Sequence, residues 1–255
     1  MSGKNPGRLA KAFLCAAAVC ALAFPAGAAG ENVRRHEMCL AQVERDPEEA
    51  FETAQGLRAL GEMLGAEHCT AAALVGLGQY DEAARRFEAL ARGGNLVPGA
   101  VASFLGHAAQ ALLLGGRPGR AVDVLSEAVR LAPADGELWV DRAAAFAAAG
   151  NYAGALADLD RALAVSPANA QALVFRATAK RFLDRLGDAQ ADLERALILD
   201  PRNPEGLLEW GILRRLADDN EGARRAWLSV LDVAPGTDAA RAARANLERM
   251  DLRVR

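Results

Sequence analysis

Residues 136–169 read GELWVDRAAAFAAAGNYAGALADLDRALAVSPAN, and the architecture of the chain can be worked out from them. Apolar residues recur at helical spacing on both sides of the pair Gly150-Asn151, which interrupts the pattern as a turn. Leu159 and Ala162 follow Ala155 by four and seven residues, so these three side chains share one face of a helix. Pro167 ends that helix because proline cannot continue one. The stretch therefore predicts two helices joined by a short turn.

The same pattern recurs every 34 residues, which predicts a stack of similar helical hairpins. Five sets of residues keep this interval over four units, and chance does not produce such a register. Four of the sets are small or apolar, as expected where helix backbones approach one another closely. The sets are Pro133, Pro167, Pro201, Pro235; Ala121, Ala155, Ala189, Ala223; Leu125, Leu159, Leu193, Trp227; Ala109, Ala143, Ala177, Gly211; and Ala128, Ala162, Ala196, Val230.

The pattern resembles the tetratricopeptide repeat, whose 34-residue unit has particular residue types at fixed positions. The residues that carry the resemblance most clearly are Trp139, Ala143, Phe146, Gly150, Tyr152, Ala155, Leu159, Ala162 and Pro167. The resemblance implies an all-α fold, a right-handed α-solenoid of antiparallel helix-turn-helix repeats with a C-terminal capping helix. Regular repeats are expected at 98–237, degenerate hairpins at 29–97, and the capping helix and tail at 238–255. The low aromatic content, 5%, agrees with helices packed through small side chains.

The first 28 residues have the features of an export signal. Lys4, Arg8 and Lys11 precede an uncharged apolar run at 12–24, and Pro25 is followed by the small residues 26–28. The alternative is a retained membrane anchor, but a membrane span needs roughly 20 apolar residues and this run is shorter. We therefore predict cleavage near residue 28 and a periplasmic or secreted protein without a membrane span.

Cys39 and Cys69 are the cysteines that follow the signal-like segment. They fall on the first helices of adjacent predicted hairpins, and an oxidising compartment favours a disulfide between them. A metal site is the alternative, because His36 precedes Cys39 by one helical turn and His68 adjoins Cys69. Consecutive residues on a helix point about 100° apart, so His68 and Cys69 would chelate poorly together. We predict the disulfide, with no metal or cofactor.

The residues give no indication of catalysis. The sequence has no phosphate-binding loop, nucleophile elbow or paired-histidine helix motif, so we expect a protein that is not an enzyme. Asp158 and Asp192 repeat with the period, which we interpret as a solvated helix face. The formal net charge of −3 does not favour nucleic acid as a partner.

The resemblance implies that the first helix of each unit lines a groove that holds a segment of another protein. We expect Lys180 and Arg214 to pair with Asp184 and Asp218 one turn further on, whereas Arg181 and Arg215 lack such a partner. An acidic segment is therefore one candidate partner, and self-association is the main rival, followed by Cys/His metal binding. The predicted groove residues are Val140, Val174, Arg181, Leu208, Ile212 and Arg215.

Overall fold

The structure, a computed structural model, describes residues 28–252, and all the regular secondary structure in that range is helical. The predicted signal run at 12–24 lies outside the described residues. The helices are α1 Ala28–Val43, α2 Pro47–Ala59, α3 Met63–Gly76, α4 Tyr80–Arg92, α5 Pro98–Leu114, α6 Pro118–Leu131, α7 Gly136–Ala148, α8 Tyr152–Val165, α9 Ala170–Phe182, α10 Leu186–Leu199, α11 Pro204–Leu216, α12 Asn220–Val233 and α13 Asp238–Leu252. The expected all-α fold of helical hairpins is confirmed.

The chain divides into two compact units, the first ending at Pro133 and the second beginning at Ala134. Unit 1 holds the hairpins α1–α2, α3–α4 and α5–α6, and unit 2 holds α7–α8, α9–α10, α11–α12 and the single helix α13. Within each hairpin the two helices pack against each other, and within each unit each hairpin packs against the next.

The 34-residue columns form the core of unit 2. Ala143 on α7 and Ala177 on α9 are each 1% exposed, and the second helices bury their alanines and leucines just as completely. Small residues at these positions let helices approach closely, and the leucines fill the space between them. The buried set on α8 and α10 is Ala155, Leu159, Ala162, Ala189, Leu193 and Ala196.

The turn inside each hairpin needs one residue in the left-handed region. Gly116 and Gly150 occupy this position with φ of 71° and 79°, at no steric cost. In the next two hairpins the same position is held by Asp184 and Asp218, with φ of 60° and 59°. Asp184 and Asp218 therefore lie beyond the ends of α9 and α11, where they cannot form i,i+4 ion pairs within those helices.

Short polar side chains begin several helices. Asn151, Asn169 and Asn203 each accept a hydrogen bond from the backbone N–H three residues on, so that one of the unpaired donors at each helix start is satisfied. Asn203 precedes Pro204, which occupies the first helical position of α11.

The last helix covers the end of the apolar core of unit 2. Ala239, Ala240, Ala243 and Met250 of α13 are buried in a cluster with α12 residues, including Trp227. A solenoid requires such a cover because its terminal repeat would otherwise expose an apolar face. The interpretation of α13 as a cap agrees with this packing.

Two departures from the repeat pattern compensate for each other in the last hairpin. Trp227 replaces the leucine of its column, and Gly211 replaces the alanine that faces it. A Cβ atom at residue 211 would overlap the indole ring of Trp227, whose Nε1–H donates to the Leu208 carbonyl at 3.2 Å. The missing methyl group therefore makes room for the larger ring.

We expect Gly211→Ala to lower the free energy of unfolding by about 1–3 kcal/mol through overpacking. Helix propensity alone gives the opposite sign, because alanine is favoured over glycine by about 1 kcal/mol. Gly187→Ala is the control, since its Cβ would meet nothing within 4 Å. Urea denaturation measures both, and adding Trp227→Leu to Gly211→Ala should recover stability. A stabilised Gly211→Ala variant would show that the two columns are not in contact.

Candidate functional site

The candidate site is the face formed by the first helices of unit 2. Helices α7, α9, α11 and α13 contact one another from hairpin to hairpin, and they do so more closely than the second helices α8, α10 and α12 do. Within unit 2 the first helices therefore lie on the inner side of the stack. This surface, which we call the first-helix face, is where a groove would form.

Two predicted groove residues prove to be core residues instead. Val140 and Val174 are 2% and 1% exposed and belong to the same cluster as the packing columns. They form the floor under the first-helix face and present no surface to a partner. Leu208 and Ile212 are partly exposed and pack against the apolar cluster that α13 completes. Other partly exposed residues of α7 and α9 include Ala144, Phe175 and Thr178.

The charge expected at Arg181 is already neutralised. Its Nε and Nη2 atoms donate to the two carboxylate oxygens of Glu209 at 2.7 and 3.1 Å, which links α9 to α11. The guanidinium also lies 4.3 Å from the centroid of the Phe182 ring. Arg181 therefore belongs to a bidentate pair on the first-helix face, and the interpretation of it as an unpaired cation is wrong. Arg215 lies 3.6 Å from the exposed carboxylate of Asp218.

The expected pairs of Lys180 with Asp184 and Arg214 with Asp218 do not form. The aspartates lie in the left-handed turn positions outside the helices, so the i,i+4 geometry of a helix does not apply to them. Lys180 instead donates to Asp192 of α10 at 2.6 Å. Arg214 lies 3.9 Å from Asp219, with its guanidinium 4.2 Å from the Trp210 ring centroid.

Asp158 and Asp192 are buried, which corrects the interpretation of them as a solvated face. Each accepts two hydrogen bonds from an arginine 16 residues earlier, Arg142 or Arg176, at 2.7 to 2.8 Å. These bonds join the first helix of a hairpin to its second helix. Burial opposes the charge on Asp192, but hydrogen bonds from Arg176 and Lys180 outweigh it and lower the pKa of that carboxyl. The repeating carboxylates thus have a structural role.

Asp141 on α7 is a polar group that the sequence analysis missed. It is partly buried, and within the described residues no ion pair or hydrogen bond to its carboxylate is found. Burial, with the nearby charges of Glu137 and Asp135, raises its pKa to about 7. The 34-residue spacing could have identified Asp141, because residues at that interval occupy equivalent positions on successive first helices. Glu209, two repeats later, is equivalent to Asp141 and forms an ion pair with Arg181.

We expect Asp141→Asn to change the pH dependence of stability. The native pKa is about 7 and the ordinary value is 3.8. Between these values the folded state holds the proton more tightly, so stability falls as pH rises towards 7 and then levels off. The variant should match the wild type in denaturant titrations near pH 4 and exceed it near pH 8. A constant difference between the two proteins at all pH values would contradict the assignment.

In unit 1 the structure brings together the two cysteines that the sequence paired. Cys39 on α1 and Cys69 on α3 are completely buried, with their sulfur atoms at bonding distance and their Cα atoms 6.1 Å apart. The bond itself stays a prediction. His36 and His68 lie beside them with ring centroids 5.0 Å apart. Among residues 28–252 no group of three or more His, Cys, Asp or Glu side chains is arranged to hold a metal ion.

A second surface of unit 2 is apolar and exposed. Phe182 and Leu216, at the ends of α9 and α11, are each about half exposed. Leu183 follows α9 and Leu186 begins α10, and each has more than a third of its surface accessible. Phe182 stacks on Tyr152 at 4.1 Å between ring centroids. This turn edge is the surface available for self-association. In the described part of the chain, no helix has both the length and the apolarity of a membrane span.

Comparison with known proteins gives a family and a fold. Two family models described as tetratricopeptide repeat match residues 70–136 and 116–180. The structure of pilF from Pseudomonas aeruginosa is similar with a TM-score of 0.64 at 15% identity, over 85% of this chain and 98% of that one. MamA from Desulfovibrio magneticus RS-1 gives 0.57 at 22% identity, over 69% and 97%. No curated protein sequence matches significantly.

Proposed function

The chain is a tetratricopeptide-repeat protein, and on that basis we propose that it is a non-catalytic scaffold which holds a segment of another protein on the first-helix face of unit 2. The observation that supports this most is the row of α7, α9 and α11 on the inner side of the unit. Partly exposed apolar and polar side chains alternate there above the buried floor of Val140 and Val174. Such a surface suits an extended or helical segment.

We place this scaffold in the periplasm or another exported compartment. The signal-like sequence of the first 28 residues supports export. The paired positions of Cys39 and Cys69 in the core of unit 1 support an oxidising compartment, where a disulfide forms and persists.

Site-specific photo-crosslinking tests the proposal. A crosslinking amino acid at Thr178 on α9 should yield a discrete crosslinked product in intact cells. The control carries it at Ile198 on α10, which is 78% exposed on a second helix. A product from Ile198 with none from Thr178 would place the partner on the opposite side of the unit and refute the proposed face.

Self-association is the second candidate, because the turn edge exposes Phe182, Leu183, Leu186 and Leu216. Native mass measurement distinguishes it from the first. A dimer that dissociates when Phe182 and Leu216 are both replaced by serine would support self-association through this edge. A monomer that still gives the Thr178 crosslink would leave only the scaffold function.

A further inference from the structure

The three histidines of the chain come together in unit 1 although they belong to three different hairpins. His36 lies on α1, His68 on α3 and His107 on α5, which are all first helices. The His68 ring lies between the other two, with centroid distances of 5.0 Å to His36 and 5.5 Å to His107. We call these residues the histidine row.

The rings of the histidine row pack against aromatic side chains, but their nitrogen atoms lack hydrogen-bond partners among the described residues. The rings of Phe104 and Phe87 pack nearly perpendicular to the His68 ring, at centroid distances of 5.2 and 5.9 Å. The Nε2 atom of His36 is buried without a hydrogen-bond partner, and no hydrogen bond is found to the rings of His68 or His107 within the described residues. All three side chains retain partial exposure.

The surroundings keep these rings neutral. Burial lowers the pKa of His68 to about 3, with the two neighbouring imidazoles adding to the effect, and burial alone lowers that of His107. Burial also lowers the pKa of His36, although Glu37 and Glu62 oppose it.

Most charged groups on the packed helices pair with one another, whereas Glu37 of α1 is exposed to solvent. Arg35 of α1 pairs with Glu62, which precedes α3. Glu67 of α3 pairs with Arg58 of α2 and Arg86 of α4. Helix α5 carries no charged residue, and Arg120 of α6 pairs with Glu88 of α4. Among the described residues of unit 1, no carboxylate forms an ion pair with the histidine row.

We propose that the histidine row binds a carboxylate side chain of a partner protein and takes up protons as it does so. A carboxylate accepts hydrogen bonds from the unpaired ring N–H groups and supplies the negative charge that makes imidazolium stable in a buried place. Proton uptake and binding are then linked, so the affinity rises as pH falls. The rings are tilted towards one another by 53° and 36°, and they do not form a metal site in the described residues.

This inference rests on the proposed scaffold function and specifies the chemistry of the partner. Arg181 of unit 2 does not offer such a site, because its charge is matched by Glu209. The affinity for an acidic segment should increase about tenfold or more between about pH 7.5 and about pH 5.5, which corresponds to about 1.4 kcal/mol or more.

Imidazole NMR provides the test, because the chain has three histidines and all of them belong to the row. The probe is an end-blocked hexapeptide of alternating glutamate and leucine, added to the full exported chain, and its glutamine counterpart is the control. The glutamate peptide should shift the imidazole resonances and raise the pKa of His68, while the glutamine peptide should do neither. His68→Phe should reduce the affinity about tenfold or more. The control variant Arg130→Gln, at an exposed side chain on the second helix α6, should leave the affinity unchanged.

Each result separates the inference from the proposed function. Unchanged imidazole resonances, or equal affinity in His68→Phe, would overturn the carboxylate site. If the peptide instead shifted amide resonances of α9 and α11 alone, the scaffold function would stand and the histidine row would be a packing feature. The imidazole resonances of the wild-type protein alone show whether the carboxylate site exists. A poorly folded His68→Phe variant therefore does not prevent the test.

Discussion

Replacing Asp192 by alanine should lower the free energy of unfolding by about 3–5 kcal/mol, the range for removing one partner of a buried ion pair. The side chain is 4% exposed and accepts hydrogen bonds from both Arg176 and Lys180. Its removal leaves two cations, themselves only 16% and 11% exposed, without their shared partner. Urea denaturation followed by circular dichroism measures the loss.

Asp160→Ala is the matched control, because Asp160 also pairs with Arg176 but is 58% exposed. A solvent-exposed pair contributes about 0–1 kcal/mol, so this variant should be nearly as stable as the wild type. The pKa of Asp192 is lowered in the fold, so its contribution should be present above its ordinary value of 3.8 and disappear as pH falls through the native value. Equal losses in the two variants would mean that burial of the pair has no energetic importance.

The second large effect is expected from removal of the two cysteines of unit 1. Cys39→Ala with Cys69→Ala should cost about 3–4 kcal/mol if the residues are bonded, as estimated for a closed loop of this length. The two cysteines are 30 residues apart and join α1 to α3. Hydrogen exchange should show the loss in α1–α4 while the amides of α8–α10 keep their protection.

Thiol chemistry provides the independent check. Labelling of the denatured, non-reduced exported protein should find no free thiol at Cys39 or Cys69. Two labelled thiols would refute the disulfide, and stoichiometric zinc in the same preparation would support the metal-site alternative with His36 and His68. Reduction of the wild type should reproduce most of the loss seen in the double variant.

The fold could be predicted from the sequence because the helices of every hairpin pack through residues of the same types at the same positions. Ala155, Leu159 and their equivalents recur at 34 residues since two helices must approach closely at the same place in each unit. The paired position of Cys39 and Cys69 followed from the same architecture, because adjacent first helices lie side by side.

The electrostatic partners could not be predicted in the same way. An arginine on a first helix can bond along its own helix, across the hairpin, or to the next hairpin, and sequence spacing does not decide among these. Arg176 bonds across the hairpin to Asp192, and Arg181 bonds to Glu209 of the next hairpin. Asp184 does not pair with Lys180, because the turn places Asp184 in the left-handed region outside the helix.

The histidine row could not be predicted from the sequence, because its residues do not follow the 34-residue repeat. His36, His68 and His107 are separated by 32 and 39 residues, and neither interval equals the repeat. The insertion around Gly94-Asn95, where both residues have positive φ, displaces α5 from the regular register. Residues on successive first helices therefore meet in space without sharing a column in the sequence.

The most direct test of the account is the affinity of the crosslinked partner, once identified, for two arginine variants. Thr178→Arg places a bulky cation on the first-helix face, and Ile198→Arg places the same group on an exposed second helix. We predict that Thr178→Arg weakens binding about tenfold or more, about 1.4 kcal/mol or more, and that Ile198→Arg leaves it unchanged. Full affinity in Thr178→Arg together with a loss in Ile198→Arg would contradict partner binding on the first-helix face.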